Sequence, residues 1–364
     1  MARAGDLRVT SVPVKGHVRS GRLHRARRAA AVVAASGLGL VGLVGTGIAR
    51  ASTPAPIPIV KSGPYTLVTE PEDGMHIVDA FIAGAHRGED LDMTMYELGD
   101  SEIEKLLVAD VHHGVAVKVL LDRAYTGGQF NRAAFTWLQR RGVAVRWASA
   151  RYDTTHEKSI VVGGVALIAT FNLTPQYYGS SRDFGIFDSN PADVASITST
   201  FNADWAGTRS APSRGADLVW SPGSASALVS IIDNAQHTLL IENEEMADGR
   251  IETALEAAAR RGVDVDVTMT ASNAWASEFT ALAAAGVHVR TYAANAPLYI
   301  HAKVIVADAG SSNETMFVGS ENFGAGSLNW NRELGLVIGA GQAPLIAVVS
   351  SVMTLDFAGA TPWH

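Results

Sequence analysis

The chain repeats itself, so whatever it folds into has to be built twice. "LVTEPEDGMHIVDAFIAGAHRGEDLDMTMYEL" from Leu67 and "LVWSPGSASALVSIIDNAQHTLLIENEEM" from Leu218 each read as a turn, an amphipathic helix and a strand ending in polar residues. "LLVADVHHGVAVKVLLD" then matches "ALEAAARRGVDVDVTMT", each a helix closed by glycine and followed by an alternating strand. "WLQRRGVAVRWA" lies over "ALAAAGVHVRTY", "LIATFNLT" over "MFVGSENFG", and "SRDFGIF" over "NRELGLV". The offset between copies drifts only from 144 to 151 residues. Alternating strands and glycine-capped helices predict an α/β fold of two pseudo-symmetric α/β/α sandwich halves, residues 67–210 and 211–364, with mainly parallel or mixed sheets. A pseudo-two-fold axis would bring equivalent strand ends to one interface.

The chain in front of the repeat has a different character. A basic stretch ending in "HRARRAAA" runs into an uncharged Ala/Gly/Val/Leu segment from Ala29 to Ala49, and "ARA" at 49–51 is a small-x-small cleavage signature. This predicts an export signal removed after Ala51 and a secreted protein, in preference to an uncleaved membrane anchor. Arg27-Arg28 hints at twin-arginine export, although the Ala-Ala-Ala that follows matches it poorly. Residues 52–66, "STPAPIPIVKSGPYT", read as a proline-rich linker. Of the 29 basic and 36 acidic residues, nine and one fall in the first 51, leaving 20 and 35 and a net charge of −15. Such a surface repels polyanions, so nucleic acid is not an expected partner and an anionic substrate needs a local pocket. With no cysteine, disulfides, thiol nucleophiles and thiolate metal sites are all excluded.

Two strands carry the chemistry. "IHAKVIVAD" places His301 and Lys303 two residues apart in an apolar run, and "THEKSIVVGG" does the same with His156 and Lys158. Side chains at that spacing share a face of the strand, roughly 7 Å apart, and can converge on one anion. The repeat also pairs Asn172 with Asn322 and Asp183 with Glu333. Lysines and amides can hold non-bridging phosphate oxygens, one imidazole can attack phosphorus while another protonates the leaving alkoxide, and carboxylates can orient each ring.

These residues resemble the phospholipase D superfamily, whose signature is His-x-Lys-x4-Asp followed by Gly-Ser-x-Asn and a downstream acid. "HAKVIVAD" fits with His301, Lys303 and Asp308, and "GSENFG" supplies Gly319, Ser320 and Asn322. "HEKSIVVG" has Gly163 in place of the aspartate, and "ATFN" replaces Gly-Ser-x-Asn while keeping Asn172. The resemblance spans residues 65–340. It implies a catalytic set of His156, Lys158, Asn172, Asp183, His301, Lys303, Asp308, Asn322 and Glu333, with His156 as nucleophile and His301 as general acid. It further implies a metal-independent, cofactor-free phospholipase D acting on glycerophospholipids at a membrane or vesicle surface, expected as a monomer. Ser320, Tyr177 and Trp330 are the expected substrate contacts. Cardiolipin synthase-like transfer, a secreted nuclease and a non-catalytic phospholipid binder are the alternatives, the last because of the altered first motif.

Other polar clusters have plainer readings. His112 and His113 in "DVHHG" end a helix, where the dipole favours positive charge. "IENEEM", residues 241–246, reads as an exposed acidic strand end in preference to a divalent-ion site. Tyr178 and Trp275 join Tyr177 and Trp330 as candidates for a lipid-facing rim.

Overall fold

The computed structural model describes residues 59–364. The export segment expected over 1–51 and linker residues 52–58 lie outside it. From Lys61 onward the expected linker is already part of the fold: Lys61–Ser62 and Tyr65–Glu70 are antiparallel strands at the edge of the first sheet.

Two large mixed sheets follow the repeat. In the first, Tyr65–Glu70, Ser181–Asp188, Val165–Ala169 and Lys158–Val162 run antiparallel to their neighbours, and Asp90–Met95, Ala116–Leu121 and Ala144–Trp147 complete it in parallel. The second has the same order: Leu218–Ser221, Glu333–Gly339, Thr315–Gly319, Val304–Ala307, Thr238–Glu242, Asp264–Thr270 and His288–Tyr292. Each half is therefore the expected α/β unit, an antiparallel hairpin region joined to a short parallel stretch with helical crossovers.

The helices obey their end signals. Ser101–His113 starts with the Asp100 carboxylate accepting from Glu102 N and stops at Gly114, whose φ of 91° is left-handed. Pro191–Ala206 starts with Asn190 accepting from Ala192 N and stops at left-handed Gly207. His112 and His113 sit in the last turn of their helix, where a cation meets the negative dipole end.

Apolar side chains form three clusters. One lies within each half, around Leu91, Val119 and Ile160 in the first and Ile241, Val267 and Ile305 in the second. The third draws on both halves, joining Leu67, Ile168 and Ile186 to Val304, Val318 and Leu336. Helix Ala343–Gly359 contributes Leu345, Ile346 and Val349 to it. At about 1.5–3 kcal/mol per fully buried large apolar side chain, this contact is a shared core and not a docked surface.

Candidate active site

The two histidine strands dock on the opposite half. His156 N donates to Arg332 O at 2.9 Å, and His301 N donates to Arg182 O at 3.2 Å. Tyr299–Ile300 continues the second contact by pairing in parallel with Ser181 and Arg182. Each histidine thus lies beside the acid that follows the arginine of the other copy. His156 Nδ1 is 2.8 Å from Glu333 Oε2, and His301 Nδ1 is 2.8 Å from Asp183 Oδ1. The acids cross between halves, which the linear repeat does not reveal.

The arginines hold this crossing in place. Arg182 is buried and bonds Asp356 through Nε and Nη2 at 2.5 and 3.2 Å, Glu70 O at 2.6 Å and Glu72 Oε1 at 2.9 Å. Its counterpart Arg332 bonds Asp204 through Nε and Nη2 at 2.8 and 3.2 Å and also meets the Tyr152 hydroxyl. Asp356 sits on the last long helix of the second half, and Asp204 on that of the first. Two forked ion pairs therefore stitch the halves together immediately next to the two acids.

The two lysines of the motif are both fully buried. Lys158 Nζ donates to His156 O at 2.6 Å, and Lys303 Nζ donates to His301 O. Burial, reinforced by the charge of Lys303, pushes Lys158 down to about 7. Burial also lowers His156 below the ordinary histidine range and outweighs the opposing pull of Glu333. For Glu333 burial works upward, but the His156 ring beside it wins and holds the carboxyl below its usual value. Asn322 is buried with Nδ2 turned to Glu244 and Glu245, and the Oδ1 atoms of Asn172 and Asn322 have no partner. The site gathers two imidazoles and two ammonium groups, one of each from either half, with the Asn322 amide.

Residues 78–205 and 228–350 match the family described as "Cardiolipin synthase, PLD-like domain". The chain belongs to this phospholipase D-like family. Among solved structures, phosphatidylserine synthase of Haemophilus influenzae Rd KW20 aligns with a TM-score of 0.64 and 12% identity, over 85% of this chain and 90% of that one. Polyphosphate kinase of Porphyromonas gingivalis aligns with a TM-score of 0.62 and 16% identity over 80% of this chain, which spans 50% of the kinase. Nuc of Salmonella typhimurium, a phospholipase D family member, gives 0.37 and 25% over 40% of this chain and 96% of its own. No curated protein sequence matches the chain.

Within this phospholipase D-like site, one expected member, Asp308, is elsewhere, and another, Ser320, faces the protein backbone. Asp308 lies at the far end of strand Val304–Ala307 from Lys303, about 17 Å away at the usual strand rise. Its carboxylate accepts from the backbone N–H groups of Gln236, His237 and Thr238 at 2.9, 2.7 and 3.0 Å and so ties a turn, with no part in the pocket. Ser320 is completely buried, its Oγ accepting from Leu334 N at 3.1 Å while its carbonyl meets His156 Nδ1 at 3.0 Å. Its carbonyl thus supports the His156 ring.

Because Asp308 is remote, glycine at the equivalent position 163 removes no group from the site. Gly163 and Asp308 share a left-handed backbone, φ 58° and 52°. Beside Gly163 stands Glu89, whose Oε2 accepts from His86 N at 2.7 Å. A Cβ on Gly163 would come within 3.6 Å of Glu89 Oε1. Restoring the motif aspartate by Gly163→Asp would set two carboxylates side by side on a strained backbone. We expect kcat/KM to change by less than about twofold and the urea midpoint to fall by the equivalent of about 1 kcal/mol. A sharp rise in turnover would contradict this assignment.

The site also contains residues that the sequence reading placed on the surface. Glu242 and Asn243 of "IENEEM" are fully buried, and Glu244 and Glu245 line the pocket. Glu245 is pushed up to about 7 by burial, with the charge of Glu244 adding to it. A usable signal was present: these residues follow the carboxyl end of a parallel strand, where open α/β sheets place their sites. Of the aromatic rim candidates, Tyr177 and Trp330 are 43% and 47% exposed and sit at or just after the short helix following each asparagine. Tyr178 instead donates to Asp100 Oδ2 at 2.9 Å, and Trp275 packs on the second-half core.

Proposed function

We propose that the chain is an exported, metal-independent phospholipase D that hydrolyses the head-group phosphodiester of glycerophospholipids through a phosphohistidine. The crossed histidine–carboxylate pairs carry this reading. Glu333 at His156 Nδ1 leaves Nε2 as the nitrogen for attack, and burial works against protonation of that ring. The Nε2 lone pair forms a bond to phosphorus as the bond to the head-group oxygen breaks, and His301 Nε2 gives its proton to the departing oxygen. His301 then takes a proton from water, whose oxygen attacks phosphorus and releases His156 and phosphatidate. An alcohol in place of water would give transfer. Lys158, Lys303 and the asparagine amides hold the non-bridging oxygens while charge builds on them. Tyr177 and Trp330 supply the exposed aromatic surface that a lipid aggregate would meet.

The deciding assay is head-group release from mixed phosphatidylcholine and phosphatidylethanolamine vesicles with chelator present, run beside a plasmid digest. Release with intact plasmid supports the reading, whereas plasmid cleavage without release moves the protein to the nuclease branch. Conversion of phosphatidylglycerol to cardiolipin in place of hydrolysis would make it a transferase. Silence throughout would leave a phospholipid-binding module.

The low value of Lys158 gives a pH test. Its ammonium, the form that holds phosphate, is present below about 7 and is lost as pH rises through that value. On a soluble diester, kcat/KM is therefore expected to fall about tenfold per pH unit on the alkaline side, beginning near 7. Lys158→Arg keeps its charge and should remove this limb even if the maximum drops.

A further inference from the structure

The seat for a phosphate oxygen is already taken by a carboxylate. Glu244 Oε2 receives Lys303 Nζ at 3.2 Å and Asn322 Nδ2 at 3.4 Å and stands 3.6 Å from His301 Nε2. Its other oxygen accepts from the Tyr299 hydroxyl at 3.0 Å. Burial works to raise this carboxyl, but Lys303 and then His301 overcome it and hold it well below the usual range. The group is a fixed negative charge among the donors that a phosphodiester needs.

At the equivalent position the first half has no carboxylate, although Glu97 one residue on, the counterpart of Glu245, is buried within reach of the charges of Lys158 and His301. Strand pairing sets Thr94 against Ser159 and Glu242 against Val304, each partner being the residue after the motif lysine. Two residues further on, the equivalents are Tyr96 and Glu244. The Tyr96 ring lies edge-on to His156, its centroid 4.5 Å from that of the imidazole, and Lys158 Nζ stands 4.8 Å above it. The carboxylate therefore marks one side of an otherwise duplicated pocket, the side of His301, where the proposed mechanism sends the leaving alcohol.

A phosphodiester entering this pocket takes Lys303 and Asn322 away from Glu244. The displaced carboxylate is then left beside a second anion unless a cation arrives with the ester. An amino alcohol meets that need, because its ammonium group lies two carbons from the ester oxygen that His301 protonates. Tyr299, bonded to the same carboxylate and with its ring centroid 6.4 Å from that of His301, adds an aromatic face of the kind that attracts ammonium groups.

We infer that Glu244, with Tyr299, is the specificity determinant of this site and selects zwitterionic phosphate esters, those whose alcohol carries an ammonium group, over esters of anionic or neutral alcohols. The inference rests on the phosphodiesterase reading above and names its substrate class. An anionic head group would meet Glu244 as a like charge, which costs affinity and not only rate.

Calorimetric titration of the purified chain at pH 6 tests it without requiring membrane or turnover. The probes are phosphoethanolamine, phosphocholine, glycerol phosphate and inorganic phosphate. The two ammonium esters are expected to bind at least about tenfold more tightly than glycerol phosphate. Glu244→Gln should bring that ratio to within about twofold, largely by tightening glycerol phosphate and inorganic phosphate, since it removes the competing charge. Equal affinities in the unaltered chain would overturn the inference whatever the variant does, and a ratio that persists in Glu244→Gln would transfer the selection to another group. Vesicle turnover with no ammonium preference in the titration would sink only this inference. A clear preference without vesicle turnover would sink only the lipase reading.

Discussion

Removing either imidazole is expected to lower kcat/KM for head-group release by about four orders of magnitude, and the two losses should differ in kind. His156→Ala removes the nucleophile, so no phosphorylated protein forms with any substrate. His301→Ala removes the proton donor, so an ester with a good leaving group such as 4-nitrophenolate should still react. One equivalent of nitrophenolate should then appear in a burst, followed by stalling, because no base remains to activate water. Peptide mapping of the stalled protein should find phosphate on His156. Phosphate on His301 in the reciprocal variant would reverse the assignment. The crossed acids extend the test: Glu333→Gln should impair the burst, whereas Asp183→Asn should impair the slow phase.

The largest loss of stability is expected from Arg182→Ala. The guanidinium makes a forked contact with Asp356, bonds Glu72 and caps Glu70 O, all in a nearly dry environment. Glu242 lies in the same cluster, fully buried and driven well above the usual carboxylate range, by burial first and then by Asp356. Removing the arginine strands these acids without a counter-charge, which costs about 3–5 kcal/mol. Urea unfolding would read this as a lower midpoint with an unchanged slope. Arg182→Lys should recover only part of it, since a single ammonium cannot reproduce the planar fork. A loss below about 1 kcal/mol would show that the cluster is solvated and that the halves are joined mainly by their shared apolar core.

Much of this architecture was legible before the fold was known, because it was encoded twice. The glycine after His113, the alternation in "VAVKVLLD" and the paired His-x-Lys strands each depend on local rules, and local rules survive in a linear reading. What escaped depends on contacts between distant segments. Asp183 and Glu333 were legible as orienting acids, but the histidine each serves is decided by strands docking across the halves. Asp308 belongs to the motif by spacing, yet its carboxylate faces the turn at Gln236–Thr238. "IENEEM" looked like a solvated strand end because carboxylates usually are. Here the strand end is covered by the other elements of the site, with Glu244 held by Lys303 and Glu242 fully buried.

The exchange of acids between the copies has an evolutionary reading. In a simple duplication each copy is free to decay while the other keeps working, and a position such as Gly163, whose counterpart Asp308 serves only its own half, is open to such change. Neither copy here owns a finished histidine–carboxylate pair, so damage to the acid of one is felt as failure of the other. Selection therefore sees the two copies as a single unit at these four positions and as two separate units elsewhere. A chain cut in the 207–217 connection would carry the same logic into the laboratory, giving two fragments that are silent apart and competent only when they find each other.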